Sequence, residues 1–444
     1  MRLITLFFTL FAAFFVINLG SGMLTFPLEK DYAEGIYLVC SRDVFANSYS
    51  SLCAQPPVFY ILQNFTGGTF FSGRLISLLS LFGSVIVCFL IIKYFTNSEK
   101  IALISLILLI LPYSFFWSTI GIADCLMVFL SLLSIYLMLH KDKSFIILIA
   151  SAFIVFLSTF TKYTGFFVFL AIFIYLLSQK RKHLVIFTSS YLLFVLFSFL
   201  IINISTNGSF YSSAFMFHLS KGWDTSTAKV INYIIFILPE IPFIILSFLA
   251  IRKNLISLYF IANLTLGSVL FFKAGSANHY FLPLEASMIP IVGFSIKKFE
   301  KTKLKKLAFS LLSLQILIAT VMCSAYFYDF AKYSVENDNQ KILDLVNNSE
   351  GNVISEYVSF NILSGKTVIK ESFDPFAHSV FLENGLWNDS VLVGECKNVS
   401  VFMTSFRFDD FKDFMHYIEN NYKESNFRFY IPAEGIKTLR VFRK

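Results

Sequence analysis

Charge is what this sequence has least of: Asp, Glu, Lys and Arg together make up 14% of its 444 residues, against 56% hydrophobic and 18% aromatic. Soluble domains hold roughly 45 to 50% apolar residues, so a water-soluble globular class is excluded. The mean hydropathy of +0.70 points instead to a multi-spanning membrane protein. Nucleotide-binding glycine patterns are missing too: no P-loop or Rossmann spacing occurs among the 19 glycines, which argues against a soluble nucleotide as ligand. The six cysteines are scattered without zinc-ligand spacing. Cys88, Cys125 and Cys323 fall in or beside apolar runs, where a small apolar side chain suffices. Cys40 and Cys53 share one polar loop, where an oxidising compartment would permit a disulfide. A net charge of +8 does not indicate nucleic acid, because the basic residues form short clusters between apolar runs and no single basic face.

Those clusters report topology. Arg2, Lys93 with Lys100, Lys141 with Lys143, Lys180 to Lys182, Arg252 with Lys253, and Lys297 to Lys306 mark every second gap between apolar runs and belong on the cytoplasmic side. Spans then fit at 3–19, 74–92, 101–118, 122–139, 144–160, 164–178, 184–203, 230–251, 255–272, 280–296 and 307–325. The expected fold is a membrane all-α, polytopic bundle of about eleven helices. The first span lacks a small-residue cleavage site before Pro27 and reads as a retained helix, not a signal peptide. With the amino terminus inside, the loop 20–73 and the chain from Tyr326 onward share the outer compartment. Residues 1–328 are expected to form the transmembrane domain and 329–444 a small extracytoplasmic α/β domain. In that tail, Asn339 to Asn347 and Asp409 to Asn421 read as helices, and Asn352 to Tyr357, Lys366 to Lys370, Val399 to Ser405 and Phe427 to Ile431 as strands.

The outer loop holds two acids, Asp31 and Glu34, in Asp31-Tyr32-Ala33-Glu34-Gly35. Ionisable groups beside a bilayer are costly and point to use. Gly35 to Asn47 is spaced as a short amphipathic helix in the interface, with Tyr37 at headgroup level. Gln55-Pro56-Pro57 fixes an extended approach to a second short helix, Val58 to Phe65. Five basic residues depart from the cytoplasmic rhythm: Arg42, Arg74, Lys162, Lys221 and Lys273 are expected near the outer side, with the acids. A carboxylate base with several cations suits a hydroxyl nucleophile meeting a lipid-linked phosphate. Glu240, between Pro239 and Pro242, marks a broken helix.

These residues resemble the GT-C glycosyltransferases that take sugars from polyprenyl-phosphate donors, in particular the protein O-mannosyltransferase and lipid A aminoarabinose transferase group. Asp31-Tyr32-Ala33-Glu34-Gly35 is similar to their D-Y-G-E-G motif, with Ala33 in place of a glycine, and Pro56-Pro57-Val58-Phe59-Tyr60 to their P-P-L-Y-Y segment. Gln55 stands where the aminoarabinose transferases carry a lysine. The resemblance continues at Asp124, at Thr161-Lys162-Tyr163-Thr164-Gly165, at Lys273 to Tyr280, and in the tail at Gly365-Lys366, Asp374-Pro375-Phe376 and Gly385-Leu386-Trp387.

The resemblance implies an inverting transfer of a hexose or pentose from a polyprenyl-phosphate carrier to a hydroxyl on a glycan, lipid or protein, at the outer face of a bacterial inner membrane. Asp31, with Glu34 behind it, would be the base. Lys162, Lys273, Arg74 and His279 would meet the donor phosphate, and Tyr37, Gln55, Tyr60, Asn278 and Tyr280 would contact substrate. Asp124 is a second acid, for acceptor or metal. Asp31, Glu34 and Asp124 could converge on Mg²⁺ or Mn²⁺, and a metal-free site is equally open. The alternative class, a transporter or flippase of lipid-linked sugars, should show inverted repeats and mid-helix charge. No such repeat is visible, and the outer-loop acids separate the chain from O-antigen ligases and polymerases.

Overall fold

The computed structural model describes residues 2–43, 49, 53–140, 143–369, 374–385 and 387–444. It is mostly helical, with one small sheet near the C-terminus. Helix α1 (Arg2–Gly20) leads into the loop of the acids, followed by α2 (Tyr32–Asp43), α3 (Val58–Phe65) and α4 (Phe70–Thr96). The amphipathic helix expected over 35–47 is α2, and its last positions, 44–47, lie outside the described residues. Helix α4 starts where Thr69 and Ser72 cap each other reciprocally, satisfying two backbone donors that a helix start leaves open. It stops at Asn97, in the left-handed conformation with φ 51°.

Four described helices are long and apolar enough to cross a bilayer: Phe70–Thr96, Arg181–Ser205, Thr227–Ala250 and Lys305–Tyr333. A fifth span results if Glu99–Leu109 and Pro112–Ser118, bent by 60°, are counted together. The break falls at Pro112, whose ring removes a helical N–H. Eleven spans were expected; several of the remaining apolar segments are helices of 10–17 residues, such as Asp124–Met138 and Phe145–Thr161. Helix α4 lies inside the bundle, packed against Asp124–Met138 and Leu282–Phe299. By contrast, only 11% of the apolar window of Arg181–Ser205 is buried, and Leu193, Phe197 and Ile204 project from it, as a lipid-facing helix requires. At Glu240 the helix Thr227–Ile237 passes through the tight turn Leu238–Glu240 into Ile241–Ala250.

The sheet has the order β1-β2-β4-β3, with β1 (Asn352–Ser355), β2 (Val399–Thr404), β3 (Lys423–Ile431) and β4 (Gly435–Arg443). β1 runs parallel to β2, while β4 is antiparallel to both β2 and β3. The strand expected at Lys366 to Lys370 does not form: 366–369 have no regular structure, and Lys370 lies outside the described residues. β4 was not anticipated; it completes a hairpin through the turn at 432–434, with Gly435 at φ 78°. Phe402, Phe414, Ile418 and Phe442 bury one side of the sheet. The other side meets the loop after α1: Met23, Phe26 and Leu28 share a core with Phe330, Tyr357, Phe429 and Val441. Burying each such side chain contributes about 1.5–3 kcal/mol, so the loop is fixed by the tail. Contact between the two also requires an even number of crossings between them.

Candidate active site

Asp31 precedes α2 and caps it, with Oδ1 accepting from the Ala33 N–H at 2.8 Å. Its Oδ2 accepts no hydrogen bond among the described residues, and the side chain is part-buried. Burial pushes the carboxyl up to about 7, with Glu434 repelling it further and the Ala33 N–H and Arg407 opposing. An acid in this state exchanges protons near neutrality.

Glu34 is one turn further and faces inward. Arg74 Nε and Nη2 each donate to it at 2.8 Å, and the N–H groups of Lys30 and Gly121 donate at 2.7 and 2.6 Å. The remaining donors of Arg74 bind the carbonyls of Leu24, Phe26 and Leu28. Both side chains are fully buried. This geometry corrects two expectations: Glu34 has no room to exchange a proton with substrate, and Arg74 does not reach a phosphate. Arg74 instead knots together α2, α4 and the loop after α1. Gly35 is required for a related reason, since a Cβ there would stand 2.7 Å from Val358 of the tail.

A second acid and base meet deeper. Lys162, just past the helix Phe145–Thr161, places Nζ 2.7 and 2.8 Å from the two oxygens of Asp124, and lies 5.6 Å over the Tyr280 ring. Tyr37 stands edge-on to Tyr60 at 5.2 Å and beside Asp124 and Tyr280. Asp124, Lys162, Tyr37, Tyr60 and Tyr280 therefore form one group. Gln55 reaches His218, at 3.5 Å between Nε2 atoms.

Around this group stand further cations. Lys273 Nζ donates to the carbonyl of His218 at 2.9 Å and lies over Trp223. Lys221 is held between the rings of Phe217 and Phe376, and Lys229 Nζ donates to the Ser276 carbonyl at 2.6 Å. His279 lies against Trp117 and Tyr280. Asn278 lines a small apolar cleft with Tyr113, Phe116 and Tyr326. Burial pulls the Lys221 ammonium down to about 8, against the attraction of Asp374 and helped by Lys162, Lys273 and Lys229. Burial and then Lys162, Lys221 and Lys229 hold His279 well below the usual imidazole range. Burial is the main cause at both groups, and the lysines near them add to it.

One tail segment joins the acid to the cations. Tyr32, next to Asp31, donates its hydroxyl to Asp374 Oδ1 at 2.9 Å. Two residues on, Phe376 covers Lys221 and sits on Gly275, whose φ is 71° and where a Cβ would meet the ring at 2.5 Å. Lys221 had been placed among the outer cations without a role; Lys229, His218 and Arg407 were missed. Lys229 sits at the margin of an apolar run and Arg407 follows an ordinary strand, so neither carried a local signal. Asp31, Glu34 and Asp124, which their sequence left open to a divalent cation or to a metal-free site, have separate surroundings: Arg74 binds Glu34 and Lys162 binds Asp124. No group of three His, Cys, Asp or Glu side chains suited to a metal occurs among the described residues.

Cys40 and Cys53 form a disulfide with Cα atoms 5.8 Å apart, tying α2 to the segment before Pro56. Closing this short loop contributes about 3 kcal/mol by the chain-entropy argument. Maleimide labelling of the denatured chain is expected to find the four thiols of Cys88, Cys125, Cys323 and Cys396 before reduction, and two more after. Equal labelling in both conditions would contradict the bond.

The fold has solved counterparts. ArnT from Cupriavidus metallidurans bound to undecaprenyl phosphate superposes with a TM-score of 0.65 at 12% identity, over 99% of this chain and 98% of that one. This chain has the GT-C fold. An oligosaccharyltransferase from Archaeoglobus fulgidus, tethered to an acceptor peptide containing the NVT sequon, shares the GT-C fold with a TM-score of 0.52 at 10% identity, over 93% of this chain and 70% of that one. Residues 54–207 match the family of dolichyl-phosphate-mannose-protein mannosyltransferases. That match includes Pro56, Pro57, Asp124 and Lys162, and begins after the acidic loop. A sequence search of curated proteins returned no match.

Proposed function

We propose that this GT-C chain is an inverting glycosyltransferase that moves a hexose or pentose from a polyprenyl-phosphate carrier to a hydroxyl of a glycan, lipid or protein acceptor. In this reading residues 1–328 cross a bacterial inner membrane about eleven times, and the acidic loop and the domain 329–444 face the periplasm. The observation that carries it is the pairing of an acid with an open oxygen, Asp31, with a gathered set of lysines across one tail segment, Asp374 to Phe376.

Asp31 Oδ2 accepts the proton of the acceptor hydroxyl as that oxygen attacks the anomeric carbon. The bond from that carbon to the phosphate oxygen breaks on the opposite side, so one displacement inverts the centre. Charge grows on the departing phosphate, and Lys273, Lys221 and Lys162 stabilise it more in the transition state than before. Asp124 holds Lys162 in place through both carboxylate oxygens. Tyr37, Tyr60 and Tyr280 form an aromatic wall suited to a sugar face, with Gln55 and Asn278 at its margins. Arg74 and Glu34 act at one remove, by fixing the loop. A flippase reading would draw on the fully buried acids Glu240 and Glu285, but Glu285 is bound by the N–H groups of Tyr113 and Ser114, which supports a role in packing.

The test is to offer the protein, in membranes that hold candidate acceptors, a panel of radiolabelled undecaprenyl-phosphate sugars. One label should pass to product with inverted configuration; consumption of none would overturn the reading. The pH profile of kcat/KM adds a second check. Asp31 must be ionised to accept a proton, so the rate should rise as pH increases through about 7. Lys221 must stay protonated to attract phosphate, so the rate should fall above about 8. An acid limb at the ordinary carboxylate value of about 4 would contradict the upward shift of Asp31.

A further inference from the structure

We infer that Arg407 and Glu434, both carried by the C-terminal tail, are positioning residues for Asp31, so that the tail completes the active site in addition to packing on the bundle. The inference rests on the reading of Asp31 as base and adds to it the part of the chain that sets the base's charge and direction.

The geometry is specific. Arg407 follows β2, and its guanidinium lies 3.9 Å over the ring of Tyr32, the residue after Asp31. It is clamped by two carboxylates: Nη1 donates to Glu356 at 2.6 Å and Nη2 to Glu434 at 2.9 Å. Glu356 is itself fixed by Thr404, Ser405 and the N–H groups of 405–407. The cation therefore cannot swing away from Tyr32. Glu434 sits in the turn between β3 and β4, and its neighbour Ala433 donates its N–H to the Lys30 carbonyl at 2.8 Å, placing that turn against the acidic loop from the other side. Tyr32 is also held by Asp374, and Glu29 by the N–H of Ser359. Every residue from Glu29 to Tyr32 except Asp31 is thus bound directly to the tail.

The charged groups facing Asp31 are Glu434 and Arg407 from the tail and Glu34 from α2. Glu34 is neutralised by Arg74, Lys30 points its ammonium at Thr119, and Asp374 and Glu356 are engaged by Tyr32 and Arg407. Burial raises Asp31 most, and on top of it the tail contributes two side chains of opposite sign, Glu434 and Arg407. A merely structural clamp would lower turnover equally at every pH. A positioning pair moves the acid limb in opposite directions.

The experiment measures the pH profile of sugar transfer in membrane vesicles for full-length wild type, Arg407→Gln, Arg407→Lys, Glu434→Gln and Asp31→Asn, using the undecaprenyl-phosphate sugar that wild type consumes. Arg407→Gln should raise the acid limb and Glu434→Gln should lower it, each by about one pH unit. Arg407→Lys keeps the charge but loses the flat stack on Tyr32, so its limb should stay in place while the rate falls. Limbs that do not move, or that move the same way, overturn the proposal. If Arg407→Gln does not fold, Glu434→Gln decides alone, because losing one of the two clamps leaves Glu356 on Arg407. Full turnover by Asp31→Asn would overturn the base assignment and this proposal together; a silent Asp31→Asn with unshifted limbs in the tail variants would overturn the tail's role only.

Discussion

Asp31→Asn is expected to leave the chain inserted and folded, and to lower sugar transfer by about 10²–10⁴-fold, the usual contribution of a general base. The substitution is suited to the question. Asparagine caps a helix about as well as aspartate, so the bond from position 31 to the Ala33 N–H survives and α2 keeps its start. What disappears is the basicity of the second oxygen. Donor binding should be little changed, because the lysines that would meet phosphate come from other segments. The loss should therefore appear in kcat and not in KM. Retained turnover would show that the acceptor hydroxyl delivers its proton elsewhere.

Breaking the Glu34–Arg74 pair should have the largest effect on stability. Both charges are fully buried, and removing one partner of such a pair typically costs about 3–5 kcal/mol, because the other is left uncompensated. Against a total stability of about 5–15 kcal/mol that is a major part. Glu34→Gln and Arg74→Met are each expected to lower the thermal midpoint in detergent sharply. Arg74→Lys should also be destabilised, since an ammonium cannot make the paired bonds to Glu34 and also reach the carbonyls of Leu24, Phe26 and Leu28. If Arg74→Lys instead kept its midpoint and lost only affinity for undecaprenyl phosphate, Arg74 would return to the donor site.

The difference between Asp31 and Glu34 shows what a sequence can carry. Both acids stand out because their surroundings hold little charge, and the apolar runs with their basic ends give the membrane class directly. Whether an acid is open or consumed depends on a partner 40 residues away, and Arg74 at the mouth of an apolar run has the same local pattern whether it snorkels, binds phosphate or turns inward. Likewise, the period of apolar residues locates helices but not their lengths. The bend at Pro112 and the short helices enclosed by the bundle make a count of spans depend on packing. In the tail, the residues of β4 alternate weakly, and the strand exists because β2 and β3 offer edges on both sides. Arg407 was invisible for a similar reason: its meaning lies in Tyr32, which is 375 positions earlier.

The bond between Ala433 and Lys30 has a consequence for biosynthesis. Ribosomes release the acidic loop among the first segments of the chain and the β3–β4 turn among the last, so the loop must wait, unfinished, until almost the whole polypeptide has been threaded into the bilayer. A nascent or truncated product ending before that turn would hold Lys221 and Lys273 without a settled Asp31 loop, and on the proposed reading would be silent until synthesis ends.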